Sequence, residues 1–297
     1  MALLTASANT GQTRRAGRQF WRSVRRWPWL PILLLAPVVI CGVFGPWLYP
    51  HDPTAINFMS PRRPPAWLAG GDWSYVLGTD QFGRDLLSRL IEGARVALIV
   101  AILGVLGAAV IGIPAGMVAG YFGGWIDNLL MRLVDVKMSI PPILLTILIS
   151  AAIGGGLWTV IVSIVIVFWA DYARVVRGEA LSLRERPYVA LAKVANCSNF
   201  RILLRHIFPN LAATCVVLIT LQLGRALIIE ASITFIGLGI QPPASAWGLL
   251  IAEGRAYLAT AWWIPTFAGV AITLTVLGAN LLGDWLRDVL DPKLRRQ

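Results

Sequence analysis

The sequence predicts an all-α membrane protein with six spanning helices, and three observations carry that expectation. Hydrophobic residues make up 57% of the 297-residue chain and charged residues only 14%, with a mean hydropathy of +0.69. A soluble domain would carry about a quarter of its residues as charges. Six apolar stretches, near residues 29–49, 95–119, 128–153, 156–172, 212–235 and 262–283, have the length at which a helix crosses a hydrocarbon core, about 20 residues. Finally, the net charge of +11 is spread in short Lys/Arg clusters between those stretches. Such clusters set orientation in a bilayer, so nucleic-acid binding is not expected.

The N-terminal tail, residues 1–28, holds Arg14, Arg15, Arg18, Arg22, Arg25 and Arg26 and no acid. It should stay in the cytoplasm. The first span is too long, and too poor in small residues at its end, for a cleaved signal, which makes it an anchor. Parity then places 50–94 outside, 120–127 inside, 154–155 outside, 173–211 inside, 236–261 outside and the tail 284–297 inside. The 173–211 loop checks this independently, since it carries Arg174, Arg177, Arg184, Arg186, Lys193, Arg201 and Arg205 against Glu179 and Glu185.

The outer segment 50–94 begins Pro-rich and irregular, then turns helical. Thr79 or Asp80 could cap a helix with Leu86, Leu87, Leu90 and Ile91 on one face and Arg84, Asp85, Arg89 and Glu92 on the other. That helix would lie along the outer surface or against the bundle. It is either an elbow into the second span or a docking surface for a periplasmic partner.

In the second span Gly104, Ala108, Gly112, Gly116 and Gly120 recur every fourth residue, a stripe on which another backbone can approach closely. Pro114 interrupts this span and Pro141 with Pro142 the third, each removing a backbone donor. The third span also carries Arg132 and Asp135. Their three-residue spacing suits a structural ion pair near the cytoplasmic rim better than a substrate or proton site.

Catalytic signatures such as HExxH, GxSxG or a Walker lysine loop do not occur. Cys41, Cys197 and Cys215 lack pair spacing, and with only His51 and His206 beside them neither a disulfide nor a metal site is expected. Gly237-Leu238-Gly239 reads as a turn after the fifth span. Between Tyr172 and Ala213 the chain becomes basic and keeps helical periodicity, through Leu191, Val194 and Ala195 and again through Phe200, Leu203, Leu204, Ile207 and Phe208, with a polar break at 196–199. This helix–turn–helix is either a loop that fixes topology or an element gripped by a soluble partner. A chain without a nucleotide site of its own favours the second, with an ATPase as the partner.

Five stretches in order, LGTDQFGRDLLSRLIEGARVAL (77–98), GYFGGWIDNLLMRLVD (120–135), YARVVRGEALSLRERPYV (172–189), SITFIGLGIQPPASAWGLLI (232–251) and NLLGDWLRDVLDPKLR (280–295), resemble the second permease subunit of peptide/nickel-type ATP-binding-cassette importers, the DppC/OppC family. The resemblance covers nearly the whole chain. It implies a type I importer permease fold with a core over 95–283, a bacterial inner-membrane location and a heterodimer with a sister permease. Two cytoplasmic ATPases would carry ATP and Mg, this chain binding no cofactor, and a periplasmic solute-binding protein would deliver di- or oligopeptides, nickel chelates, opines or a related small solute. The family's Glu-Ala-Ala motif, a helix that seats on the ATPase, corresponds to Ala190–Pro209. Two hallmarks differ here: Ala190 stands for the first acid and Asn196 for the turn glycine. Tyr188, Lys193, Asn196, Phe200 and Arg205 are the residues expected to carry the coupling. The competing classes are an ATP-independent channel or carrier and a membrane-embedded enzyme.

Overall fold

A computed structural model describes residues 28–290. The arginines of the N-terminal tail and residues 291–297 lie outside the described residues. Within them the chain is helical: α1 (Trp29–Leu48), α2 (Leu86–Phe122), α3 (Gly124–Ser139), α4 (Pro142–Ile153), α5 (Leu157–Arg184), α6 (Pro187–Val194), α7 (Asn199–Ile202), α8 (Phe208–Ile236), α9 (Trp247–Gly254) and α10 (Trp263–Leu290), with a π turn at Leu203–Ile207 and a 3-10 turn at Arg255–Tyr257. α1, α2, α5, α8 with its preceding turn, and α10 are each long and apolar enough to cross a membrane, and α3 with α4 makes a sixth as a broken span.

α1 lies at the edge of the bundle, packed against α2 and α10. Only Pro31, Gly42 and Gly45 are buried along it. Gly42 sits against Leu98 of α2, and Leu34 and Leu35 lie on Gly278 of α10.

α2 forms the axis. Its glycine stripe faces α5 so closely that a methyl group at Gly104 would lie 2.7 Å from Ile164, at Gly116 2.5 Å from the Ala173 carbonyl and at Gly120 2.7 Å from that of Arg177. Gly112 meets the Trp169 carbonyl, and Ala108 is fully buried in the same row. Around the seam Val105, Ile164, Phe168, Tyr172 and Val176 form the main core, which continues into Ile207 and Leu211.

Four expectations change. The outer amphipathic helix is no separate element. Asp85, not Thr79 or Asp80, is the cap, its carboxylate accepting from the Ser88 amide at 3.0 Å, and the helix runs from Leu86 straight through the second span. Thr79 is engaged elsewhere, donating to the Ser60 carbonyl at 2.6 Å, and Asp80 accepts from the Phe82 and Arg84 amides. The third span is interrupted where its prolines were expected to interrupt it, bending by 89° between α3 and α4. Consecutive prolines supply no amide there, and Ile140 before them is extended. α5 runs twelve residues beyond the expected end of the fourth span, and along this extension Arg174 and Arg177 pair with Asp135 and Asp127 of α3. α10 likewise continues to Leu290, taking in Asp284, Arg287 and Asp288.

The Arg132–Asp135 pair is also replaced. Asp135 pairs with Arg174 across the helix interface, whereas Arg132 is exposed and has no ion pair among the described residues. Spacing brings the two onto one face of α3, but α5 presents a cation to the acid more directly. At the end of α8, Gly237 adopts φ +91° and closes the helix through amide bonds from Gly237 and Leu238 to Thr234 and Ile233. The expected turn is present.

Candidate functional site

The helix–turn–helix is held together from its inner side. Val189 and Ala192 of α6 and Ile202, Leu203 and Ile207 beyond the turn are buried. Between the two halves α6 ends in a Schellman cap: the Asn196 amide donates to the Lys193 carbonyl and the Cys197 amide to that of Ala192, both at 3.0 Å. Asn196 takes φ +54°, the left-handed conformation that asparagine tolerates better than most side chains. The departure from glycine therefore keeps the bend. Ser198 caps α7 by accepting from the Arg201 amide at 3.4 Å.

Tyr121, at the end of α2, ties this element to the bundle. Its hydroxyl donates to Asn199 Oδ1 at 2.8 Å, and Lys193 Nζ lies 5.3 Å from its ring centroid. Lys193 is thus engaged with the bundle although it is exposed. Tyr188, Phe200 and Arg205 point outward, as do Leu191 and Val194. Leu191 is 68%, Val194 85% and Phe200 72% exposed, forming an apolar ridge with Leu204 across both sides of the turn. Such a ridge on two capped helices is a surface shaped for a partner. Of the seven cations read into this loop, Arg174 and Arg177 belong to the α3–α5 seam, and Arg184 pairs with Glu185 and donates to the Gly120 carbonyl.

At the opposite end lies a buried ionic knot that the sequence did not bring together. Arg89, fully buried on α2, donates to Asp80 at 2.6 Å, to Glu253 of α9 at 2.7 Å and to Ser245 at 3.1 Å. Arg84 bridges the same two acids at 2.6 and 3.0 Å. Nearby, the Trp247 indole donates to the Leu90 carbonyl at 3.0 Å and Trp263 to that of Thr79 at 3.2 Å. The outer segment, α2 and α9 are therefore locked into one body. Burial raises the Glu253 carboxyl pKa, but the charges of Arg89 and Arg84 and the bonds from Arg89 and Gln81 outweigh it and leave the pKa below the ordinary 4.5. A depressed folded-state pKa stabilises above the unfolded value and is lost as pH falls through the folded one. Melting temperature of the purified protein should accordingly hold steady down to about pH 4.5 and drop below it. Glu253→Gln should start lower at neutral pH and lose less on acidification; an identical acid profile would remove Glu253 from this role.

The family model described as binding-protein-dependent transport system inner membrane component matches residues 112–296, a stretch that runs from the middle of the glycine seam through the turn to α10. The chain belongs to that family. As a transport-system inner membrane component it is a multi-pass membrane protein. It is 38% identical to the di/tripeptide transport system permease protein DppC of Pseudomonas aeruginosa over 94% of this chain and 92% of that protein. It is also 38% identical to the probable D,D-dipeptide transport system permease protein DdpC of Escherichia coli, over 88% and 86% respectively. Among solved structures, a chain of the MetNI methionine ABC transporter in an inward-facing conformation shares the fold at 18% identity with a TM-score of 0.56, covering 69% of this chain and 98% of that one. The inner membrane component thus has the type I importer permease fold.

Proposed function

We propose that this chain is one of two permease subunits of an ATP-driven importer of peptides or closely related solutes, and that it forms half of the translocation pathway. The peptide systems named for its relatives support the cargo class. Two cytoplasmic ATPases bind ATP and Mg, a periplasmic binding protein delivers the cargo, and a sister permease completes the path. Both termini are cytoplasmic, which puts the 187–208 turn on the ATPase side and the ionic knot on the receptor side. ATP-driven closure of the ATPases displaces the turn, and the bundle opens outward to accept cargo.

The observation that carries this reading is the outward apolar ridge of Leu191, Val194, Phe200 and Leu204 on a turn whose inner face is fastened to Tyr121. A surface loop serving topology alone would leave charges in water and bury its apolar side chains. A few central residues carry most of the energy of an interface, about 2 kcal/mol or more for each such anchor, or about thirtyfold in affinity, and a charge placed among them adds a desolvation cost. In the purified complex, Leu191→Asp with Phe200→Asp should strip the ATPase from the permease and abolish uptake. Ala190→Glu with Asn196→Gly, which adds an acid to a first turn that has none, should raise the amount of ATPase retained. Full ATPase retention by the double Asp variant would overturn docking at this ridge.

A further inference from the structure

Asp171, in the middle of α5, gathers side chains from two other helices. Its Oδ2 accepts from Arg225 Nη1 at 3.1 Å and from Gln222 Nε2 at 3.0 Å, both on α8. Lys137 Nζ, in the last turn of α3 before the 89° bend, lies 3.8 Å from Oδ1. One carboxylate thus faces two cations, leaving one positive charge in excess.

Arg225 is only partly engaged. Its guanidinium lies over the Phe168 ring, 5.3 Å from the centroid, and Nη1 donates to both Asp171 and Gln222. Nε and Nη2 make no hydrogen bond among the described residues, and the side chain is 54% exposed. Asp171 stands fourteen residues along α5 from Leu157 and Arg225 eleven residues before Ile236. At the helical rise these are about 21 and 17 Å of helix from the ends on the same side of the bundle, against a core thickness of about 30 Å, which sets both side chains within the spanning part. An exposed guanidinium at that depth faces water or protein, not lipid.

We infer that Arg225, steered by Asp171, Gln222 and Phe168, binds the C-terminal carboxylate of a peptide in transit. The inference rests on the peptide-importer reading above. A planar guanidinium edge with two free donors matches a carboxylate by two parallel bonds. Every linear peptide presents that group whatever its side chains, so one fixed fork serves varied cargo. Asp171 neutralises part of the local charge, which keeps the hold weak enough for release. Lys137, at the bend, supplies the second cation and makes the cluster sensitive to how α3 and α4 are set.

The test uses the full transporter in proteoliposomes, with receptor saturated either by a tripeptide or by its C-terminal amide. The readout is the ratio of the two uptake rates, which cancels differences in the amount of folded complex. The wild type should favour the free carboxylate by roughly tenfold or more, the effect of one charge-assisted hydrogen bond. Arg225→Gln should bring the ratio close to one, and Arg225→Lys, which keeps charge without the fork, should fall between. Peptide uptake with an unchanged ratio in both variants overturns the carboxylate site alone. Loss of the sister permease from either variant would also overturn it, assigning Arg225 to an acid on that subunit. A wild-type transporter that moves neither peptide overturns the importer reading and this site with it.

Discussion

Replacing Arg89 by methionine is expected to cost about 3–5 kcal/mol, the loss that follows when one partner is taken from a buried ion pair. The side chain fits the space, so the effect comes from charge. Glu253 keeps Arg84 and the Gln81 hydrogen bond, Asp80 keeps Arg84 alone as a cation, and two carboxylates then share one guanidinium between α2 and α9. Purified protein should melt well below the wild type, and much of the expressed protein should be lost on detergent extraction. Combining Arg89→Met with Glu253→Gln removes the stranded charge while Arg84 still pairs with Asp80 at 2.6 Å, so the double variant should recover more than half of the loss. A single variant that melts with the wild type would show that the knot contributes no stability.

Gly116→Val should be nearly as damaging, for a different reason. The added Cβ would stand 2.5 Å from the Ala173 carbonyl and 2.9 Å from Val176, and the obstruction is backbone that has no rotamer to yield. Overpacking commonly costs about 1–3 kcal/mol and exceeds that where backbones must separate. In lipid, close approach is most of what holds two helices together. Gly269→Ala is the matched control, with nothing within 4 Å of the new methyl. Thermal stability and yield should fall for Gly116→Val and stay at the wild-type level for Gly269→Ala. Equal behaviour of the two would mean that the seam is not tight.

The seam was legible because a four-residue glycine period leaves few uses other than helix contact. A polar break at 196–199 and an interruption at Pro141 and Pro142 were legible locally, though not the latter's 89° angle, whereas the left-handed turn at Asn196 was expected only through the family resemblance that places a glycine there. Long-range choice was the part that could not be read. Arg89 looked like a water-facing charge on an amphipathic helix because its partner Glu253 lies 164 residues away. Asp135 looked committed to Arg132 until α5 brought Arg174 against it. For the same reason the basic run after Tyr172 looked like one loop, whereas its first cations lie on a helix whose seam they pin. Arg225 gave no motif at all, since a single arginine in an apolar span acquires meaning only from Asp171 beside it.

The turn fastened to Tyr121 and the knot built on Arg89 occupy opposite ends of one helix, 32 residues or about 48 Å apart by helical rise. The glycine row, Gly104 to Gly120, splints that helix to α5 along about half of the distance. Two helices in backbone contact resist bending more than either would alone, so the pair should act as a beam. On the proposed topology, a push received at the Tyr121 end should therefore arrive at the Arg89 end as movement of a whole body, not as a message relayed from residue to residue. The compliance needed for a path to open and close is left to the thinner parts of the chain, the α3–α4 elbow above all.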